Sequence, residues 1–160
     1  MRRLLQPTLL LCVIAVALAR GTASGPDGFV RLTPQQVHWR ELPGSFGVQV
    51  ATIAGDPAAH DLYVQRVRFP PHVMDRPHWH PNDRYVTVLK GTWASGTGRT
   101  FDPTHAVPLP PGSFMLHPAK GLHWDGSAND EEVIVQVFGM GPADTVAADP
   151  QQPLWVQVPR

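Results

Sequence analysis

Cysteine is nearly absent from this sequence: Cys12 is the only one among 160 residues. It lies inside an apolar stretch near the start of the chain and follows Leu11 rather than a small residue, which argues against a lipoprotein cysteine. Removal of that stretch as a leader would leave a mature chain without a thiol. Disulfides and cysteine nucleophiles are then excluded, and any metal site must use nitrogen and oxygen ligands.

An excess of either charge is also missing. The chain has 13 basic and 13 acidic residues, and charged residues make up only 16% of it. Loss of a leader containing Arg2 and Arg3 would make the mature chain slightly acidic. This balance gives no support for nucleic-acid binding.

Long helical periods are lacking as well, whereas proline (18) and glycine (14) are frequent. Short apolar segments at residues 48–53, 63–69, 85–89 and 133–138 are separated by these turn-forming residues, which predicts strands. The length suits a single core. We therefore predict one all-β domain over residues 24–160, with its core at about 60–142, N-terminal strands before it and a proline-rich C-terminal tail after it.

The first residues are typical of a secretory signal, with Arg2 and Arg3 preceding an apolar run at residues 9–19. We predict a signal peptide over residues 1–23, cleaved after Ala19 or Ala23. The alternative is an uncleaved anchor, but a membrane-spanning helix needs roughly 20 apolar residues. The expected location is periplasmic or secreted, with no membrane association after cleavage.

Histidine placement gives the main functional signal. His78 and His80 are two residues apart, so both rings would lie on one face of a strand, where side chains alternate. A pair at this spacing is weak evidence alone. A second glycine, proline and histidine pattern follows in PGSFMLHPAKGLHWDG, which contains His123.

Together these patterns resemble the two motifs of the cupin superfamily, particularly small single-domain exported cupins. The first motif runs glycine, five residues, H-x-H, three or four residues, glutamate, six residues, glycine; the second runs glycine, five residues, proline, x, glycine, two residues, histidine. The matching residues are His78, His80 and Gly91 in the first, and Gly112, Pro118 and His123 in the second. The resemblance covers about residues 63–142 and implies a cupin-type jelly-roll barrel. His78, His80 and His123 would bind one divalent metal ion.

Three positions depart from the motifs. His72 and Lys120 stand where glycines are expected, which affects turns and should bend the fold rather than break it. Arg84 stands in the place of the glutamate. A guanidinium is always protonated and has no lone pair to offer, so the usual carboxylate ligand is missing.

Several roles are open for Arg84. It could turn out of the barrel or lie at the rim, paired with Asp83 or Asp125. Asp83 or Asp75 could replace the missing glutamate. Alternatively, an anionic ligand could bridge the metal ion and Arg84, because guanidinium groups bind carboxylates in bidentate fashion.

Two further residues are candidates for the pocket or for contacts with the ligands. His117 could face the cavity beside the metal, or lie in the opposite wall as a hydrogen-bonded core histidine, and the second alternative is favoured. Gln136 is a pocket-lining candidate by resemblance. Trp79 and Trp124 each adjoin a predicted ligand, so alternation should turn them away from the metal to pack elsewhere.

Three histidines with open coordination positions suit iron or zinc, with manganese, nickel and copper as further candidates. The first hypothesis is an oxygen-dependent oxidoreductase for a small, anionic molecule, with Arg84 or Gln136 orienting the substrate. No catalytic residue can be assigned, and the only carboxylate pair evident is the exposed Glu131–Glu132. The second hypothesis is a non-catalytic module that binds a small ligand or the metal, and the third is a barrel without metal. The resemblance also makes a homodimer an expectation.

Overall fold

A computed structural model describes residues 28–160, so the predicted signal peptide lies outside the described residues. Residues from Leu32 to Arg160 form one compact unit. No helix in this described part is long and apolar enough to cross a membrane. Two short 3-10 helices occur at Pro34–Gln36 and Pro103–His105. The strands are β1 (Arg40–Glu41), β2 (Gln49–Ala54), β3 (Leu62–Phe69), β4 (Val73–Asp75), β5 (His78–Trp79), β6 (Arg84–Lys90), β7 (Trp93–Thr97), β8 (Val107–Leu109), β9 (Phe114–His117), β10 (His123–Gly126), β11 (Val133–Met140), β12 (Val146–Ala147) and β13 (Trp155–Gln157).

The strands form two antiparallel sheets. The first has six strands in the order β1-β2-β3-β11-β6-β9, and the second has the order β12-β5-β10-β4-β13, with β7 joined to β10 and β8. Strands that are distant in sequence are neighbours, as in a jelly-roll, where the chain crosses repeatedly between sheets. The predicted all-β jelly-roll is confirmed.

Side-chain alternation along the strands builds the core. In β11, Val133, Val135 and Val137 are buried, whereas the residues between them are more exposed. These valines pack with side chains of both sheets, including Val73 and Trp93, in one apolar cluster. Several members of this cluster, Trp93 and Val135 among them, also line the cavity described below.

A second, smaller cluster lies on the other face of β10. Trp124 packs there with Met74, Ala94 and Val158, and its ring meets Phe101 edge to face at 5.3 Å. As alternation predicts, Trp124 therefore turns away from the side of the strand that carries His123.

Two turns use a backbone conformation that favours glycine. His72 has φ 60° and Lys120 has φ 62°, both in the left-handed region that is unfavourable for residues with a Cβ. The Lys120 amide donates a hydrogen bond to the His80 carbonyl at 2.8 Å. The glycine positions of the motifs therefore keep their left-handed turns here, although other residues occupy them.

Candidate metal centre

Strand pairing brings the three predicted ligands together. His78 in β5 lies opposite His123 in β10, and His80 follows directly after β5. All three side chains are buried, with at most 3% of each residue exposed. Ring centroids are 4.3 Å apart for His78–His123, 4.9 Å for His78–His80 and 5.0 Å for His80–His123.

Each ring is oriented by a hydrogen bond from its Nδ1. The acceptors for His78, His80 and His123 are the carbonyl oxygens of Arg76, Asp144 and Gly121, at 2.9, 2.8 and 2.9 Å. Because a carbonyl only accepts, Nδ1 must carry the proton and Nε2 keeps its lone pair. Metal-binding histidines are typically fixed by such partners. Each residue can offer one ring nitrogen, and these atoms lie within 4.8 Å of one another.

Burial also keeps the imidazoles neutral, as metal ligands must be. It lowers the pKa of His80 to about 2, with the nearby Arg84 charge as a further cause. Burial likewise lowers the pKa of His78 and of His123. His123 Nε2 is buried without a hydrogen-bond partner among residues 28–160, which is unfavourable unless a ligand satisfies it. The donor set therefore fits a divalent transition metal.

His117 differs from the favoured prediction. It lies on β9 in the opposing sheet, as that prediction required, but it faces the cavity, and neither ring nitrogen has a hydrogen-bond partner in the described chain. Its ring centroid lies 3.7 Å from that of His123 and 5.7 Å from Trp93. Burial lowers its pKa to about 3, followed by the effects of His78 and Arg84. His117 thus belongs to the histidine cluster rather than to a hydrogen-bonded core.

Arg84 lines the cavity and does not turn out of the barrel. Its Nη2 donates hydrogen bonds to the carbonyl oxygens of Ala143 at 2.7 Å and Asp144 at 3.5 Å. Asp83 is exposed and accepts a hydrogen bond from the Ala119 amide instead, so it neither pairs with Arg84 nor reaches the histidines. The cavity therefore contains a fixed cation beside the candidate metal site.

The structure also shows a buried carboxyl pair, Asp75 and Asp125, which the sequence interpretation did not identify. The Asp125 amide donates to Asp75 Oδ1 at 2.7 Å, and Trp93 Nε1 donates to Asp125 Oδ1 at 3.1 Å. The expectation that Glu131–Glu132 was the only carboxylate pair is wrong. Strand alternation could have found Asp125, because it lies two residues after His123 on the same face.

Both aspartates adjoin the histidines. Asp75 Oδ1 lies 3.7 Å from His78 Nδ1, and Asp125 Oδ2 lies 4.0 Å from His123 Nε2. Burial raises the pKa of Asp75 to about 8, and burial followed by the neighbouring Asp75 raises that of Asp125. A divalent ion on the histidines would favour the charged carboxylates and lower both pKa values again.

Gln136 is not a pocket residue, contrary to the expectation from the resemblance. The residues on either side of it, Val135 and Val137, line the cavity, so alternation turns Gln136 to the other face of β11. Its Oε1 accepts a hydrogen bond from Arg66 Nε at 3.1 Å. The two polar side chains pair across neighbouring strands, away from the histidines.

The cavity has a volume of about 250 Å³. It combines a polar end with an apolar wall. The polar end includes Asp75, His78, His80, Arg84, His117 and Asp125. The apolar wall includes Phe69, Val86, Trp93, Val135, Val137 and Trp155.

Comparison with known proteins supports the fold. Neither a protein-family model nor a curated protein matches the sequence, but many solved structures match the fold. The polyketide cyclase RemF from Streptomyces resistomycificus has a TM-score of 0.62 at 17% identity, over 76% of this chain and 86% of that one. An RmlC-like cupin protein from Ralstonia eutropha has a TM-score of 0.59 at 19% identity, over 78% of this chain and 74% of that one. The DMSP lyase DddQ from Ruegeria pomeroyi also has a TM-score of 0.59 at 19% identity, over 73% of this chain and 64% of that one.

Fold and site together define a jelly-roll barrel with a candidate metal centre of buried histidines. The chain has the cupin fold, as its two motifs indicated.

Proposed function

We propose that this protein is a metal-dependent enzyme that acts on a small anionic molecule inside the barrel. One observation carries the proposal: three buried imidazoles meet beside a cavity that His78 and His80 line, each with Nδ1 bound to a backbone carbonyl. In rings held this way, each Nε2 remains available to an ion. Metal-binding histidines typically have their other ring nitrogen hydrogen-bonded in the same manner. His78, His80 and His123 would hold one divalent ion, with iron or zinc favoured.

Arg84 supports an anionic ligand. With a divalent ion present, the two aspartates can balance only part of the positive charge contributed by the ion and Arg84. A carboxylate ligand would reduce this excess and could form two hydrogen bonds to the guanidinium. The cavity is slightly smaller than the range of roughly 300–1,000 Å³ that is typical of ligand pockets, which favours a small molecule.

Oxygen-dependent oxidation is one reaction that suits this centre. The ion would supply either oxygen activation, as with iron, or polarisation of a substrate oxygen, as with zinc. Three neutral nitrogen ligands leave open positions for a substrate, which supports the oxidoreductase hypothesis. The protein's own contribution would be to orient the substrate through Arg84 and to exclude water with the apolar wall.

Acid–base chemistry is the second candidate, and the buried Asp75–Asp125 pair favours it. A carboxyl group in the cavity could hold or accept a substrate proton beside the metal site. RemF is described as a polyketide cyclase and DddQ as a DMSP lyase, and neither description names an oxidation. A lyase or cyclase reaction on this chain would need no oxygen.

Metal content tests the central proposal. We expect purified wild-type protein to hold about one equivalent of transition metal, and the His78→Ala variant to lose it. His38→Ala is the matched control, because His38 is exposed outside the cavity and should retain the metal. A wild-type protein that takes up no metal, or unchanged binding by His78→Ala, would contradict the proposal.

Turnover with and without oxygen distinguishes the reactions. Iron-loaded and zinc-loaded proteins should be screened with small phenols, diketones, thiols and carboxylic acids, while oxygen uptake and substrate loss are recorded. Oxygen uptake coupled to substrate loss supports oxidation, and anaerobic turnover supports acid–base chemistry. Tight zinc binding with no turnover across the panel would favour the alternative of a non-catalytic binding module.

The Arg84→Gln variant tests the anionic ligand. Loss of a charged hydrogen-bond donor should weaken carboxylate binding to the metal-loaded protein by about 10-fold or more. Isothermal titration with succinate measures the change. Arg66→Gln is the control, since Arg66 pairs with Gln136 away from the cavity. Equal affinities in wild type and Arg84→Gln would remove the basis for an anionic substrate.

We also propose export, on the strength of the N-terminal sequence. The protein recovered outside the cytoplasm should begin at Arg20 or Ser24, following cleavage after Ala19 or Ala23. N-terminal sequencing of that fraction is the measurement. An intact Met1 in the exported fraction would argue for the uncleaved anchor.

A further inference from the structure

The missing glutamate leaves the candidate metal centre without its expected carboxylate. Arg84 takes that place and is held in the cavity by backbone carbonyls. It cannot ligate a cation because it has no acceptor atom. Any carboxylate ligand must come from a different strand.

Asp125 on β10 has one oxygen fixed and the other near His123. Trp93 Nε1 donates to its Oδ1 at 3.1 Å, and its Oδ2 lies 4.0 Å from His123 Nε2. Two donor atoms bound to one ion at about 2.1 Å each are at most about 4.2 Å apart. The 4.0 Å distance therefore allows both atoms to bind the same ion.

Asp125 also belongs to both carboxylate-containing groups of donor atoms in the described part of the chain. One group combines it with His117 and His123, and the other with Asp75 and His78, and all donor atoms within a group are within 4.8 Å of one another. Asp125 thus has a donor atom near His123 and near His78, although the group formed by the three predicted ligands does not include it. Its contact with an available ring nitrogen is to His123 Nε2, so Asp125 would approach an ion from the side of His123.

His117 is the competing candidate for the ligand position that glutamate has in the cupin motif. Its ring lies 3.7 Å from that of His123, with 34° between the ring planes. Imidazole lone pairs lie in the ring plane, so two rings this close and tilted by only 34° direct their lone pairs more alongside each other than toward one ion. This geometry favours Asp125 over His117.

We propose that Asp125, which lies on β10, is the carboxylate ligand of the metal ion. It would have the role that glutamate has in the cupin motif. The proposal rests on the proposed metal site. The motif's carboxylate has thus moved to the strand that already carries His123. Arg84 is left free to bind an anionic substrate.

A cysteine at position 125 provides a direct test, because a thiolate bound to Cu²⁺ or Co²⁺ produces a charge-transfer absorption band that an unbound thiol does not. We expect the Asp125→Cys variant, loaded with either ion, to show this band. Wild type, whose only cysteine is Cys12, gives the baseline. Asp75→Cys is the matched control: Asp75 contacts the Nδ1 side of His78, so its thiol should give no band.

Asp125→Asn covers the case in which the cysteine variant does not fold. The amide keeps the size of the side chain but is a much poorer metal ligand. Bound Co²⁺ should show a changed visible spectrum and an affinity lower by about 100-fold or more, beyond the 10–100-fold typical of residues that only support a ligand. Asp75→Asn should leave the Co²⁺ spectrum unchanged.

The outcomes separate the two proposals. If wild type binds no metal, the metal site itself is wrong. If wild type binds metal but folded Asp125→Cys gives no band, or Asp125→Asn gives the wild-type Co²⁺ spectrum, then Asp125 is not a ligand. A band in Asp125→Cys and none in Asp75→Cys establishes the assignment.

Discussion

At the residue scale, the His117 side chain lies in an energetically unfavourable environment. Both of its ring nitrogens are buried without a hydrogen-bond partner in the described chain, and an unsatisfied buried polar group costs about 1–3 kcal/mol. A core residue without function would be expected to be apolar there. The cost is understandable if His117 meets a bound substrate or water.

This cost gives a stability prediction. His117→Leu should raise the free energy of unfolding of the metal-free protein by about 1 kcal/mol, because an apolar side chain removes the unsatisfied nitrogens. Urea denaturation in the presence of a chelator measures the effect. His80→Leu is the comparison and should be destabilising, since it leaves the Asp144 carbonyl without its hydrogen bond. Lower stability of His117→Leu would show that the imidazole is satisfied in solution.

At the element scale, the turn between β9 and β10 places His123 relative to the other ligands. Lys120 adopts a left-handed conformation in this turn, and its amide donates to the His80 carbonyl. The turn therefore connects the backbone near two predicted ligands. Its conformation matters to the site even though Lys120 itself is exposed.

We predict that Lys120→Gly stabilises the fold. A left-handed residue with a Cβ costs about 1–2 kcal/mol, which glycine avoids, although glycine loses more backbone entropy on folding. The net gain should be up to about 1 kcal/mol, measured by urea denaturation. Lys120→Ala keeps the Cβ and should give no gain, so equal stabilisation by both variants would point to the lysine charge instead.

At the scale of the whole molecule, the candidate metal centre connects distant parts of the chain. His78 belongs to β5, which pairs with both β10 and β12, and the His80 ring is bonded to the Asp144 carbonyl. An ion bound to the three histidines would hold these segments together. Only the folded chain brings the three ligands within range.

Metal removal should therefore lower the stability of the whole domain. Free metal at 100 times its dissociation constant stabilises a native state by about 2.7 kcal/mol. We expect thermal unfolding of the wild type at a lower temperature after treatment with a chelator, and recovery on addition of the metal. His78→Ala should not respond to either treatment. An unchanged wild-type melting temperature would mean that the native state does not bind the ion.

Much of the fold could be predicted because its signals are local. Proline and glycine spacing indicated short strands, and the two motifs indicated a cupin barrel. The motifs also predicted that His78, His80 and His123 would lie together, as the structure shows. Even the departures at His72 and Lys120 left the turns in place, since backbone conformation there is set by the surrounding strands.

Tertiary structure decided the rest of the site, because which polar groups share a cavity depends on how the two sheets face each other. Gln136 and His117 illustrate this: the first pairs with Arg66 away from the cavity, and the second enters the cavity from the opposing sheet. Asp75 and Asp125, 50 residues apart, are joined by a hydrogen bond that only the folded chain can form. The sequence by itself determined the strands and the histidine triad. Packing determined the charges around that triad, because burial and proximity set the energy of each ionisable group.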